Sequence, residues 1–218
     1  SSDAGNIGSF KGSSILVGVF GQYEVNGLYG RLSYSGGNTD MEIKRNINLA
    51  ASTRYESGNT GISQQTGTIE VGYVFKGDNF KHGPFAGVVS NKADVGSYVE
   101  NGNTSTGMHF DEFSRDSNQS HVGYQFSGSF GAIRPYARAS WVNETNSDQV
   151  SVGAGNNLLT GHFTLDGYTP SDDSFIDWNV GAAMNFGEGF DAFLSYRARS
   201  GSDQQDNSTV NLGIRKTF

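Results

Sequence analysis

Residues 176–186, IDWNVGAAMNF, indicate the fold class most clearly because they alternate strictly between an apolar and a polar or small set. A period of two is typical of a β-strand, in which successive side chains point to opposite faces. The same alternation recurs at 28–35, 68–75, 121–127, 134–141, 192–197 and 210–218, and less cleanly at 15–23. With the segment 85–95, whose parity the pattern leaves open, the sequence predicts about nine strands.

The connections between these strands are of two kinds. Tight turns are predicted at 25–27, 129–131 and 186–189, and long polar loops at 36–66, 96–111, 143–174 and 200–208. Short and long connections alternate along the chain, which is typical of an antiparallel up-and-down meander.

Two architectures fit this meander, a soluble β-sandwich or lipocalin-like barrel and a transmembrane β-barrel with its apolar face outward. Aromatic residues near strand ends on the apolar face favour the second, because membrane barrels carry aromatic girdles there; these are Tyr23, Tyr34, Phe75, Trp141 and Phe186. We therefore predict an all-β, antiparallel up-and-down transmembrane β-barrel in the bacterial outer membrane. Its candidate lumen-facing residues are Arg31, Glu70, Arg138, Glu144, Asp177, Arg197 and Arg215.

Composition and missing sequence motifs exclude several classes of function. The 218 residues suit one domain, the net charge of −7 argues against nucleic acid as a partner, and Cys is absent. The sequence has no Gly-Asp-Ser, Gly-x-Ser-x-Gly or His-Glu-x-x-His motif, and its four His residues show no metal-binding spacing. We therefore predict no catalytic residue, no cofactor and no metal ligand. The acidic groups at 111–116, 172–173 and 203–206 are interpreted as solvated loops rather than a cation site.

The C-terminal nonapeptide VNLGIRKTF, residues 210–218, resembles the signal by which the barrel-assembly machinery recognises outer-membrane proteins. Its candidate signal residues are Val210, Leu212, Ile214 and Phe218, and it departs from the usual pattern at Lys216.

An ordered set of segments is similar to the translocator barrel of GDSL-type esterase autotransporters, a type V secretion family. The segments are KRNINL (44–49), RYESGNTG (54–61), KHGPFAG (81–87), VGSYVE (95–100), STGMHFD (105–111), RPYAR (134–138) and FTLDGYTP (163–170). The resemblance runs from about Ser14 to Phe218. It implies a twelve-stranded barrel threaded by a helix, of which residues 1–218 would be a translocator domain incomplete at its N-terminus.

The resemblance further implies that the domain exports or anchors an upstream passenger, a GDSL-type esterase, and is not itself an enzyme. Implied partners are outer-membrane lipid and lipopolysaccharide, the barrel-assembly machinery, and the passenger with its linker helix. The lumen-facing charges would either hold that helix or pair across strands. Two alternatives remain, a stand-alone porin or adhesin-like barrel and a barrel-borne hydrolase, to which only Ser120-His121 points.

Overall fold

A computed structural model describes residues 2–3, 8–49, 52–101, 105–146, 149–167, 174–187, 189–201 and 207–216. Within these residues all regular structure is β. The first strands are β1 (Ser2–Asp3), β2 (Gly8–Val25), β3 (Leu28–Leu49), β4 (Ser52–Tyr73), β5 (Phe75–Lys76), β6 (Phe80–Val95), β7 (Tyr98–Val99) and β8 (Met108–Phe110). The others are β9 (Phe113–Gly128), β10 (Ile133–Glu144), β11 (Ser151–Asn156), β12 (His162–Asp166), β13 (Ser174–Gly187), β14 (Phe190–Ser200) and β15 (Asn207–Lys216). The described part of the chain contains no helix long and apolar enough to cross a membrane.

The main sheet is an antiparallel meander. Its strand order is β1-β2-β3-β4-β6-β9-β10-β13-β14-β15, with β5 beside β6. Nine of these strands are ten residues or longer, in agreement with the predicted count. Among the described residues β1 and β15 are the two ends of this order, and no ladder joins them. The predicted all-β, antiparallel up-and-down fold is confirmed.

Short turns lie at one end of the sheet. Asn26 and Gly27 connect β2 to β3 with φ values of 50° and 86°. Positive φ at both central residues is the signature of a type I′ hairpin turn, whose twist matches that of the flanking strands. Gly131, between β9 and β10, also has a positive φ of 62°. The tight turns predicted at 25–27 and 129–131 are therefore present.

Hydrogen bonds between distant strands show that the sheet is strongly curled. Gln125 on β9 donates to the hydroxyl of Tyr29 on β3 over 2.8 Å, although three ladders separate these strands. In a flat sheet three ladders would span about 14 Å. Residues on the Tyr29 and Gln125 side therefore line a concave face, and the alternate residues form a convex face.

The convex face is apolar and exposed. Leu32 is 59% exposed, Val71 53% and Leu212 74%, whereas Tyr29 on the concave face is 3% exposed. A soluble sandwich or lipocalin-like barrel would bury such side chains. An apolar outer face around a polar interior is instead the arrangement of a transmembrane barrel, so the soluble alternative is wrong.

The loop predicted over 36–66 is wrong. Strands β3 and β4 are 22 residues long and stay paired from Leu28↔Tyr73 to Leu49↔Ser52. A tilted transmembrane strand needs about 9–11 residues, so half of this hairpin projects beyond the membrane span. No lipid lies against that half, so its side chains need no apolar alternation while the backbone ladder persists.

Two other predicted loops contain strands. Segments 96–111 and 143–174 supply β7, β8, β11 and β12, which form a separate four-stranded sheet in the order β12-β11-β8-β7. We call this the loop sheet. It contacts the projecting β3–β4 hairpin, where the Asn101 amide donates to the Ser57 carbonyl at 2.7 Å.

Candidate functional site

The concave face carries a cluster of charged and polar side chains centred on Glu70. Its Oε1 accepts hydrogen bonds from Tyr29 Oη at 3.0 Å and Arg31 Nη1 at 3.3 Å. Arg138 donates to both carboxylate oxygens from the opposite side, at 3.4 Å through Nη1 and more closely through Nη2. Gln125 completes the cluster through Tyr29. We call these five residues the Glu70 cluster; they come from β3, β4, β9 and β10.

Aromatic rings support the cluster. The Arg138 guanidinium lies 3.5 Å above the ring of Phe85, a buried residue of β6. His121 Nε2 lies 3.5 Å from Glu70 Oε2 without the geometry of a hydrogen bond. The absence of a side chain at Gly87 makes room for this imidazole, because a Cβ there would lie 2.8 Å from Nε2. Phe85 on the concave face fixes the parity of β6, which the sequence pattern left open.

The sequence prediction named three members of this cluster, Arg31, Glu70 and Arg138, and omitted the rest. Tyr29 and Gln125 nevertheless alternate in phase with charged or polar neighbours, Tyr29 with Arg31 on β3. Shared parity was therefore a usable signal. The sequence could not show that β3 and β9 approach each other, because curvature decides that distance.

The remaining candidate charges form separate pairs. Arg197 donates to Asp177 at 3.1 Å through Nε and 2.5 Å through Nη2. Arg215 donates to Asp191 at 3.1 Å. Both pairs are bonded between neighbouring strands, so each neutralises its own charge without reaching the Glu70 cluster.

Glu144 lies at the end of β10, away from the short turns, and 3% of its surface is exposed. Its carboxylate accepts hydrogen bonds from the Ser117 hydroxyl at 2.5 Å, the Asn118 and Asn146 amides and the Gln119 side chain. Burial raises the pKa of Glu144, but the four donors outweigh burial and hold the pKa below its usual range. Glu144 therefore ties together the ends of β9 and β10 rather than joining the arginines.

The five candidate girdle residues are all exposed. The exposed fractions are 72% for Tyr23, 51% for Tyr34, 48% for Phe75, 52% for Trp141 and 63% for Phe186. Tyr23, Phe75 and Phe186 lie at or close to the short turns, and Trp141 lies far along β10. At about 3.3 Å per residue, the eight steps from Ile133 to Trp141 cover about 26 Å along the strand, which at the usual tilt is about 20 Å of height and most of the apolar band of an outer-membrane barrel.

Three of the four candidate assembly-signal residues lie in the described part of the chain. Val210, Leu212 and Ile214 lie on β15, and each is at least 66% exposed. Phe218 lies outside the described residues.

Ser120 and His121, the pair that suggested a barrel-borne hydrolase, are not placed to act together. Ser120 and His121 are neighbours on β9, so their side chains point to opposite faces. His121 lies on the concave face beside Glu70, and Ser120 is on the convex side. The described residues also contain no group of three or more His, Asp or Glu side chains arranged to hold a metal ion.

A family model described as the autotransporter beta-domain matches residues 1–197. The chain belongs to this family. As an autotransporter β-domain it is an outer-membrane translocator for a passenger domain, and the translocator is not itself catalytic. The stand-alone porin or adhesin alternative is thereby set aside.

Relatives and a solved structure agree with this assignment. The autotransporter β-domain is 28% identical over 215 residues to Esterase EstA of Pseudomonas aeruginosa, covering 96% of the chain and 33% of that protein. It is 25% identical over 205 residues to Lipase 1 of Photorhabdus luminescens, covering 92% of the chain and 31% of that protein. The chain thus spans about a third of the length of these curated relatives.

The fold is similar to that of the translocator domain of autotransporter NalP from Neisseria meningitidis. The TM-score is 0.69 at 16% identity, and the match covers 98% of this chain and 68% of that chain.

Proposed function

We propose that this β-domain exports and anchors an ester-hydrolysing passenger that lies N-terminal to it in the full-length protein. Two relatives that match nearly the whole chain are named an esterase and a lipase, and about two thirds of each lies outside the match. The 218 residues carry neither a Gly-Asp-Ser nor a Gly-x-Ser-x-Gly nucleophile motif. The hydrolytic residues therefore belong to the passenger.

We further propose that the linker between passenger and barrel runs along the concave face. The supporting observation is a cleft at the short-turn end, lined by Arg31, Lys76, Lys81 and Arg138, with Glu24 as the lining carboxylate. Glu24 is already bound to Lys76 at 2.8 Å. Arg31 and Arg138 share the carboxylate of Glu70, so the four cations still outnumber the two carboxylates and the cleft keeps a net positive charge. Charge-assisted hydrogen bonds would favour a linker with acidic side chains.

Two ion pairs on β13–β15 make that part of the concave wall suitable for passage of a polypeptide. Asp177 with Arg197 and Asp191 with Arg215 are neutralised in pairs. Each of these two pairs adds polar groups to the wall and neutralises its own charges, and an unpaired charge would be costly in a narrow lumen. The cationic cleft is therefore where a linker would be held, and the part of the wall formed by β13–β15 is where a chain would pass.

The convex face and the strand ends suggest the remaining partners. The exposed Leu32, Val71 and Leu212 side chains suit the acyl chains of outer-membrane lipid. The projecting β3–β4 hairpin and the loop sheet lie beyond the membrane span, at the level of lipopolysaccharide. The alternating apolar residues of β15 are the surface that the barrel-assembly machinery would recognise.

The passenger proposal is tested with the full-length gene expressed in an outer-membrane host. Intact cells should hydrolyse a short-chain p-nitrophenyl ester, and external protease should remove that activity. Cells that carry the same gene with only the passenger deleted and the complete barrel retained are the control and should not hydrolyse the ester. Activity in the control, or none with the full-length protein on the surface, would exclude an esterase passenger.

The linker proposal needs a separate readout. Lys81 lies in the cationic cleft, and Lys92 lies on the same strand but on the convex side. Lys81→Glu should reduce the amount of surface-exposed passenger several-fold, whereas Lys92→Glu should not. Heat-modifiability on gels checks that both barrels fold. Equal passenger export by both variants would exclude the cleft as the linker site and leave the passenger's identity unaffected.

A further inference from the structure

The loop sheet brings together two histidines that are 53 positions apart in sequence. His109 on β8 and His162 on β12 both lie opposite Gly155 of β11, the strand between them. Their Nε2 atoms are 3.1 Å apart, and the ring centroids are 4.7 Å apart in an edge-to-face arrangement.

Glycines on the central strand make this approach possible. A Cβ at Gly155 would lie 2.6 Å from Cε1 and 2.7 Å from Nε2 of His109. A Cβ at Gly153 would lie 2.1 Å from Oδ2 of Asp111. Any larger residue on this face of β11 would push the imidazole and the carboxylate away. The two glycines therefore form an open floor between β8 and β12.

Asp111 lies where it can orient one of the imidazoles. Its Oδ2 is 3.7 Å from Nδ1 of His162. A carboxylate on one ring nitrogen favours a proton there and leaves the other nitrogen with a free lone pair. With this tautomer, Nε2 of His162 presents its lone pair towards His109.

We propose that His109 and His162 bind one divalent transition-metal cation through their Nε2 atoms. Zn²⁺ is the cation whose bond lengths and angles fit these two atoms best. Zinc–imidazole bonds are about 2.0–2.1 Å long. A cation at that distance from both nitrogens, which are 3.1 Å apart, subtends an angle of about 100°. That angle is close to tetrahedral, so the cation fits between the rings with little movement.

The remaining coordination positions are open. No third His, Asp or Glu among the described residues completes a ligand group, so water or an external ligand would fill them. Both ligands belong to segments that connect long strands, β8 between β6 and β9, and β12 between β10 and β13. The bound cation thus cross-links two strands that are not hydrogen-bonded to each other and stabilises the loop sheet on the membrane-distal side.

The test measures Zn²⁺ binding to the full-length protein purified in detergent, by competition with a chromophoric zinc indicator. We expect a single site per chain that is weakened at least tenfold in His109→Ala and His162→Ala. His82→Ala is the matched control, because His82 lies on β6 near the short turns, where it contacts Tyr124, and its loss should leave zinc affinity unchanged. Unchanged affinity in both His109→Ala and His162→Ala would overturn the proposal.

Two further variants separate metal binding from folding of the loop sheet. Asp111→Asn keeps both imidazoles and should weaken binding about 10–100-fold. Gly155→Ala should also weaken binding, since its Cβ displaces the His109 ring. Co²⁺ in place of Zn²⁺ should give visible absorption that disappears in His162→Ala, and zinc should slow protease cleavage in 96–111 and 143–174. If the two rings share only a hydrogen bond, Co²⁺ gives no absorption that depends on His162 and zinc leaves the rate of protease cleavage unchanged. That outcome would overturn the proposal.

Discussion

Glu70 of β4 accepts hydrogen bonds from Arg138 of β10, although three ladders separate the two strands. The contact exists because the sheet curls and the arginine side chain crosses its concave face. It fastens together strands that backbone hydrogen bonds join only indirectly. The Glu70 cluster is therefore a side-chain contribution to the curvature of the barrel.

The first prediction concerns the stability of this cluster. Glu70→Ala leaves Arg31 and Arg138 without their shared carboxylate. Both arginine side chains are partly exposed, Arg31 at 45% and Arg138 at 33%. The loss of stability should therefore be smaller than that for breaking a fully buried ion pair. We expect the free energy of unfolding to fall by about 2 kcal/mol. Urea titration of the protein folded in lipid vesicles measures it.

Glu42 provides the matched control for Glu70. It pairs with Lys44 at 3.1 Å, and its side chain is 41% exposed on the projecting part of β3. Glu42→Ala should change the free energy of unfolding by less than about 0.5 kcal/mol. Equal effects at Glu42 and Glu70 would contradict a structural role for the cluster.

The second prediction concerns the apolar convex face. Leu212 on β15 is 74% exposed on that face. Leu212→Arg should lower the free energy of unfolding in lipid by about 2–4 kcal/mol if the residue sits near the bilayer midplane. Asn211→Arg, one residue away on the concave side, should cost much less. A similar cost for both substitutions would show that Leu212 does not face lipid. Val180→Arg on β13 repeats the test at the centre of the sheet.

The third prediction concerns the contact between the projecting hairpin and the loop sheet. Arg45 on β3 donates to both carboxylate oxygens of Glu100, at 2.9 and 2.6 Å, and to the Thr106 carbonyl at 3.0 Å. The Glu100 side chain is 2% exposed, and its hydrogen bond raises the pKa of Arg45. Arg45→Ala should leave a buried carboxylate without its cation.

We expect Arg45→Ala to expose 96–111 to external protease at least tenfold faster, with heat-modifiability of the barrel unchanged. A tenfold change in the opening equilibrium corresponds to about 1.4 kcal/mol. Lys44→Ala, at the adjacent position of β3, is the control and should cleave at the normal rate. Normal cleavage of Arg45→Ala would mean that the backbone contacts alone hold the loop sheet in place.

The fourth prediction concerns pH. The pKa of Glu144 is lowered in the folded protein, so its contribution to stability is present above the unfolded carboxyl value, about 4.3, and is lost as the pH falls through the folded pKa. Hydrogen exchange at the amides of Asn118 and Asn146 should accelerate as the pH falls below about 4.3, after correction for intrinsic rates. Glu144→Gln should remove this acid-dependent acceleration. An identical pH profile in the variant would show that another group is responsible.

Much of the transmembrane part was predictable from sequence. Alternation in 28–35, 68–75, 121–127 and 176–186 marked strands and their faces, and Asn26-Gly27 marked a turn. These features are local, because a strand sorts its side chains by parity. The projecting half of β3 and β4 was not predictable, since it lies outside the lipid and its side chains need not alternate between apolar and polar. The four short strands of the loop sheet were missed because none is longer than six residues.

The antiparallel meander, the number of its long strands and, except on β6, the residues that share a face within the membrane span followed from the sequence alone. Tertiary structure decided which of those residues meet. Curvature brought Glu70 to Arg138 and Tyr29 to Gln125, and pairing of two long connections brought His109 to His162. The physical reason is range: parity is fixed by the bond geometry of neighbouring residues, whereas distances between strands depend on how the whole sheet bends and how its connections pack.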